Sequence, residues 1–261
     1  MMLQSLHIDR PYAQPRSPIE VDGERYELPS DFVAGLDFLR PFVKRKGKPV
    51  EWFVHVTDGR PCVLTNSVTI DFEIGSNSLP DIKLQPRAIR ILAAFEQPPS
   101  HLVVGGSEFL FLWQDGQQCL FAGQKPFSEV WWGDHGPVQK LALIDRFWAF
   151  DNASAVDDET RSQLLKSHTG PAKDIYINGD AAISRISSDG KSWTSETLSK
   201  LPMDVQRPMR FDITAFRSVI RVADEIDFST SPVSFRHANG RGLLIERTLG
   251  SDVPDGECSD E

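Results

Sequence analysis

The chain has 261 residues, enough for one large domain or two of ordinary size, and its 40% hydrophobic and 25% charged residues describe a soluble globular protein. The longest apolar runs, such as Ile89 to Phe95, are far too short for a membrane span, and Met1 to Arg16 lacks the apolar core of a signal peptide. A net charge of −9 opposes an ordinary compact nucleic-acid binder, whose affinity rests on a basic surplus, unless the positive charge is gathered on one face.

Residues 1–22 read as a loose arm. Ser30 or Asp31 then caps a helix with Phe32, Leu36, Leu39 and Val43 at helical spacing, which Pro41 kinks or ends. Its polar side and end carry Arg40, Lys44, Arg45 and Lys46. A hairpin follows: Trp52 to Val56, Asp58-Gly59, Cys62 to Leu64. In the next strand, Ile70 to Ile74, Asp71 and Glu73 alternate with apolar residues and are expected to face solvent. Pro86 opens a helix that buries Ile89, Leu92 and Ala93 and turns Arg87 and Arg90 outward. Phe109 to Trp113, Asp115-Gly116 and Cys119 to Phe121 form a further hairpin.

Pro126, Gly133, Gly136 and Pro137 mark a linker over 125–137. Beyond it, Val138 to Phe150 is helical with Leu141, Ile144 and Trp148 on its apolar side and Lys140 and Arg146 elsewhere. Asp157-Asp158-Glu159 caps a short helix and suits its dipole. Ile175 to Ile177, Asn178-Gly179 and Ala182 to Ile186 form another hairpin. Asp212 caps the clearest helix, where Ile213, Phe216, Val219, Ile220 and Ala223 make one stripe and Arg217 and Arg221 stack on the opposite face. Val233 to Phe235, Asn239-Gly240 and Leu243 to Ile245 close the chain before an acidic, disordered tail over 251–261. Asp-Gly and Asn-Gly supply the positive φ that two-residue turns require.

These elements recur. The helix at Gln85 to Ala93 and the helix at Asp212 to Ile220 align in their Ala, large apolar and Arg positions, and a strand and hairpin follow each. Upstream, the hairpin at Trp52 to Leu64 corresponds to that at Ile175 to Ile186. The order implies a duplicated α+β domain, over 23–124 and 138–250. Two unrelated α+β domains with common turn signals stay open as the alternative.

No Walker loop, HExxH, G-x-S-x-G or Cys/His metal spacing is present. Cys62, Cys119 and Cys258, odd in number and without CxxC spacing, read as thiols in a reducing cytoplasm. Asp134 and His135 could form a general base, but they have no neighbouring nucleophile.

The pattern Phe32-x-x-x-Leu36-x-x-Leu39, Phe53-Val54-His55-Val56, Asp58-Gly59, Cys62-Val63-Leu64 and Ile70 to Ile74 resembles the opening domain of DNA sliding clamps. Phe211 to Arg247 resembles the end of their last domain, and the acidic tail is similar to that of proliferating cell nuclear antigen. The resemblance implies two similar domains, each with antiparallel sheets outside and two helices on the inner face. It implies no enzyme and no cofactor, but a ring around duplex DNA that tethers a DNA polymerase for processive replication. Two-domain clamps close as homotrimers and three-domain bacterial clamps as dimers, so a trimer is expected, in a bacterial or phage-infected host cytoplasm.

The implied DNA-facing residues are Arg40, Lys44, Arg45, Lys46, Arg87, Arg90, Lys140, Arg146, Arg217 and Arg221, which touch phosphate without reading sequence. Edge strands near 118–123 and 192–198 would pair between subunits. A polymerase or clamp-loader peptide would enter a pocket walled by Leu243, Leu244, Ile245 and Leu249. The segment 128–171, with Trp131, Trp132, Phe147 and Trp148, is longer and more aromatic than the resemblance implies. A clamp-fold interaction protein that binds replication proteins without encircling DNA is the alternative.

Overall fold

The computed structural model describes residues 18–44, 49–75, 78–122, 137–166, 173–177, 179, 182–188, 193–201, 203 and 205–249. Within them one order, strand–helix–three strands, occurs four times. The first run is β1 (Gly23–Glu27), α1 (Phe32–Leu39), β2 (Val54–Thr57), β3 (Arg60–Leu64) and β4 (Val68–Phe72). The second is β5 (Ile82–Leu84), α2 (Pro86–Leu92), β6 (His101–Gly105), β7 (Glu108–Leu112) and β8 (Gln118–Ala122). A separate helix α3 (Pro137–Phe147) follows. The third run is β9 (Ser154–Ala155), α4 (Asp158–Lys166), β10 (Asp174–Ile177), β11 (Ala182–Ser188) and β12 (Trp193–Lys200). The fourth is β13 (Met209–Asp212), α5 (Ile213–Val222), β14 (Glu225–Asp227), β15 (Val233–His237) and β16 (Gly240–Leu244).

Each run gives its first strand to its neighbour's sheet. Strand β1 joins β6-β7-β8 and β5 joins β2-β3-β4; likewise β9 joins β14-β15-β16 and β13 joins β10-β11-β12. Two halves built by the same exchange are one fold used twice. The halves meet where β4 pairs with β16 in antiparallel register, from Gly240 opposite Phe72 to Leu244 opposite Val68. That pairing fuses two four-stranded sheets into a single sheet of eight.

Side chains alternate across this seam, as strand geometry requires. Val63, Ile70 and Leu244 point into the main core with Leu36, Leu39 and Phe72. Cys62, Leu64 and Leu243 point the other way and meet Leu141 and Ile144 of α3. Helix α1 packs on β3 and β4, and α2 packs on α1. Helix α5 touches the turn after α1 and packs on β10, β13 and β16, while α4 packs on α5. Four helices thus form one continuous layer on one side of the large sheet, and α3 lies alone on the other.

Local chemistry explains the boundaries. Helix α1 ends at Leu39, and Arg40–Phe42 continues as a single 3-10 turn with Pro41 inside it, so Val43 is extended rather than helical. Pro86 fills the first position of α2. The Asp212 carboxylate accepts from the amides of Thr214 and Ala215 at the start of α5, and Asp157 accepts from the Thr160 amide at the start of α4. Asp58 and Gly59 both have positive φ, +52° and +71°, in a two-residue turn between β2 and β3.

The last hairpin differs from the sequence expectation. Its turn is Ala238-Asn239, with the positive φ on Ala238 (+43°), and Gly240 already pairs with His237 in β16. Glycine is needed in β16 for close approach instead. A Cβ on Gly242 would lie 2.5 Å from the Phe235 ring and 2.9 Å from the Thr69 carbonyl oxygen. Because that carbonyl belongs to β4, the two halves could pair only after a backbone shift. Gly242→Ala is therefore expected to destabilise the chain by about 1–3 kcal/mol, the usual range for overpacking. Thermal unfolding checks this; an unchanged midpoint would contradict the close approach.

Candidate functional site

The exposed arginines of the helical layer lie on α2 and α5. Arg87, Arg90 and Arg221 are exposed, and Arg217 is half-buried. No carboxylate among the described residues pairs with Arg87, Arg90 or Arg221. The α1 side contributes less than expected. Arg40 is held by Asp37 at 2.7 Å, and Lys44 by the buried Glu51 at 3.2 Å, so both charges are already committed. Arg45 and Lys46 lie outside the described residues, as do Asp134, His135, Trp131 and Trp132.

Lys140 and Arg146 are corrected by the fold. Both sit on α3, on the far side of the large sheet from α1, because Leu141 and Ile144 cover Cys62, Leu64 and Leu243 rather than the main core. They cannot share a wall with the arginines of α2 and α5. Arg146 instead lies over the Phe147 ring, 5.0 Å from its centroid. The first run after the linker opens at β9 with α4, so α3 is an addition between the two halves.

Helix α4 is fastened to α5 by a residue the sequence shows only as an isolated charge. The Arg161 guanidinium donates to the carbonyls of Val156 and Ala223 at 3.0 Å each, and to that of Ile220. It so satisfies carbonyls at the end of α5 that lack helical partners and places a cation at the negative end of its dipole.

On the α3 side, four charges interlock. Asp71 is buried, not solvent-facing as its alternation suggested, and it accepts from Arg60 at 3.1 Å and Arg241 at 3.2 Å. Both arginines also reach Asp145 of α3: Arg60 through two bonds of 3.1 Å, Arg241 through one of 2.6 Å. Burial pushes the Asp71 carboxyl up, against the pull of Arg241 and Arg60, while the hydrogen bond from Arg60 holds Asp145 below the usual carboxylate range. Arg241 also lies over the Trp148 ring at 5.9 Å.

Past α3 the chain is strapped across β15 and β14. Trp148 Nε1 donates to the Phe235 carbonyl at 3.3 Å, and the Asn152 amide donates to Asp227 at 2.9 Å. Trp148 stacks on Phe150, and Arg236 covers the Phe150 ring. The residues expected to wall a peptide pocket differ in their surroundings. Leu243 is fully buried beneath α3, Leu244 is fully buried in the main core, Ile245 is half-buried against the α3 cluster, and only Leu249 is exposed.

Strands β8 and β12 are each the last strand of their sheet. They are the two segments, 118–123 and 192–198, expected to pair between subunits. Beside β8 lies a groove of about 360 Å³ whose lining mixes Lys83, Gln85 and Arg87 with the apolar Leu84, Ile91 and Leu120, Ile91 being 38% and Leu120 39% exposed. A bare edge strand next to exposed apolar side chains is an association surface by its chemistry.

The exchanged sheets, the seam and the one-sided helical layer define the class: this is the fold of a DNA sliding clamp. Solved structures resemble it over most of its length. The DNA polymerase III beta subunit of Borrelia burgdorferi matches with a TM-score of 0.63 at 9% identity, covering 89% of this chain and 66% of its own. The Caulobacter crescentus pol III beta protein matches at 0.60 and 14%, covering 89% and 68%. The Helicobacter pylori beta clamp bound to a DNA ligase peptide matches at 0.58 and 13%, covering 90% and 68%. The chain therefore spans about two thirds of the length of these proteins. No protein-family model matches the sequence, and no curated protein does. Among the described residues, no helix is long and apolar enough to cross a membrane.

The charge ring generates a prediction. Asp145 is depressed from 3.8, so its contribution to α3 docking is complete above the ordinary carboxylate value and fades as pH falls through the depressed one. Asp71 is shifted the opposite way, so protonating it in acid favours the fold and offsets part of that loss. At neutral pH, Asp145→Asn should cost about 1 kcal/mol, discounted because the carboxylate is half-exposed. Hydrogen exchange should then speed up roughly fivefold in α3 and not in α1. Uniform acceleration throughout the chain would refute a local role.

Proposed function

We propose that this chain is a two-domain sliding clamp that encircles duplex DNA and tethers a polymerase, acting as a scaffold and not as an enzyme. The observation that carries the reading is the join of β4 to β16, which gives one eight-stranded sheet with all four repeat helices on one side, while among the described residues β8 and β12 end the two separate four-stranded sheets. Copies pairing β8 with β12 head to tail extend that arrangement and hide both edges. Their helices then form an inner wall to which α2 and α5 bring Arg87, Arg90, Arg217 and Arg221. Guanidinium groups on long stems hold phosphate through counterion release without reading bases, which suits a ring that must move along DNA. A net charge of −9 is compatible with this reading if the remaining carboxylates lie away from the inner wall.

Two domains per chain call for three copies if the ring holds six. Light scattering on the purified protein should then give about 88 kDa, three times the 29.3 kDa chain. Leu120→Asp, which sets a charge on the bare β8 edge, should yield monomers. Replacing Arg90 and Arg221 with Glu should leave the mass unchanged and weaken retention on circular DNA, lowering the salt slope by about one for each phosphate no longer neutralised. A monomer at high concentration in the unaltered protein sinks the ring.

The second reading, a clamp-fold protein that binds replication proteins without encircling DNA, draws support from the commitment of Arg40 and Lys44 to internal ion pairs. A stable monomer with no retention on circular DNA favours it. A polymerase, a clamp loader and a peptide-binding role, such as the Helicobacter pylori clamp has with its ligase peptide, belong to either reading.

A further inference from the structure

Helix α3 stands outside the four repeated runs, and the sheet it covers is complete without it. Its contact is a small cluster separate from the main core, to which the sheet contributes Cys62, Leu64 and Leu243, and the described side chains of α3 contribute Leu141 and Ile144. The receiving surface is rich in charge: Arg60 and Arg241 face the buried Asp71, the exposed Asp58 lies 3.9 Å from Arg60, and the helix brings Asp145 to both arginines. Trp148 completes the contact one turn later beneath Arg241. An 11-residue helix is too short to persist alone in water, so its order comes from this docking.

We propose that α3 is a displaceable internal ligand, and that the surface beneath it is a receptor for amphipathic helices with aliphatic residues one turn apart, a carboxylate next to the second, and an aromatic residue a further turn on. The chain's own Leu141, Ile144, Asp145 and Trp148 are the pattern, at positions i, i+3, i+4 and i+7. A helix laid in a groove reads as this spacing. In place, α3 shields the receptor as a tethered competitor. A short tether gives a local concentration of order millimolar, so a micromolar partner binds only after α3 is released or weakened. The inference stands whether or not the chain closes a ring, since it concerns one copy.

The probe is a fluorescent peptide spanning residues 137–150, added to full-length protein. In one protein, Leu141→Asp with Ile144→Asp releases α3 and leaves the receptor side chains untouched. That protein should bind the peptide at least about tenfold more tightly than the unaltered one. The same peptide carrying Asp145→Arg should lose at least tenfold, because it sets a third cation beside Arg60 and Arg241. Cys62 reports occupancy: its thiol is fully buried beneath α3, and burial pushes its pKa up. With Cys119→Ser and Cys258→Ser as background, N-ethylmaleimide should label Cys62 readily in the released protein and slowly once peptide saturates it. Equal binding by the two proteins, equal binding of the two peptides, or no protection of Cys62 overturns the proposal. Should the released protein not fold, Cys62 labelling of the background protein in low urea decides. A rate independent of urea shows α3 leaving on its own; a rate that follows global unfolding shows an integral helix and overturns the proposal.

Discussion

Strands β4 and β16 lie far apart in the chain, one in each half, and their antiparallel pairing is the constraint on which the other relations depend. Asp71 and Arg241, 170 residues apart, sit directly opposite each other in it. One face of the pair closes the main core through Ile70 and Leu244, and the other receives α3 through Leu243. Without the pairing there would be two four-stranded sheets and no common side for the helices. With it, the position of every helix relative to the sheet is set by the alternation of side chains along two five-residue strands.

The same seam explains the division of charge. Carboxylates and arginines on the α3 side neutralise one another in a group of Asp58, Arg60, Asp71, Asp145 and Arg241, partly buried and hydrogen-bonded, so with α3 in place they lock elements together. On the helical side, the charges of α2 and α5 have no such partners among the described residues, apart from the half-buried Arg217. A chain with a strong negative total thus keeps a small set of cations on one layer, and where they lie matters more than their number.

Helix α3 gives the large sheet a cover on the face that the helical layer leaves bare. That cover holds down apolar area that would otherwise favour aggregation. Its described contacts are the aliphatic Leu141 and Ile144 and the Asp145 ion pairs, with the Trp148 and Asn152 hydrogen bonds just beyond its end.

Much of the local structure was legible in the residues. Pro86, Asp212 and the Asp58-Gly59 turn mark their boundaries by conformational preference alone, and the Phe216, Val219 and Ile220 stripe announces a helix with one buried face. The repeat was legible in part, because hairpins and helices recur in order, but the fourfold exchange of first strands was not, since hydrogen bonds between distant strands leave no local trace. The charge ring could have been suspected from Gly59-Arg60 and Gly240-Arg241, two arginines leaving equivalent hairpins. Its closure through Asp71 and Asp145 required the seam. Sequence by itself determined which segments are helix and strand and which faces are apolar, because these follow from periods of 3.6 and 2. Only the tertiary structure decided that α3 lies opposite the other helices, that Lys140 and Arg146 leave the basic layer, and that Asp71 is buried, because each depends on which strand lies beside which.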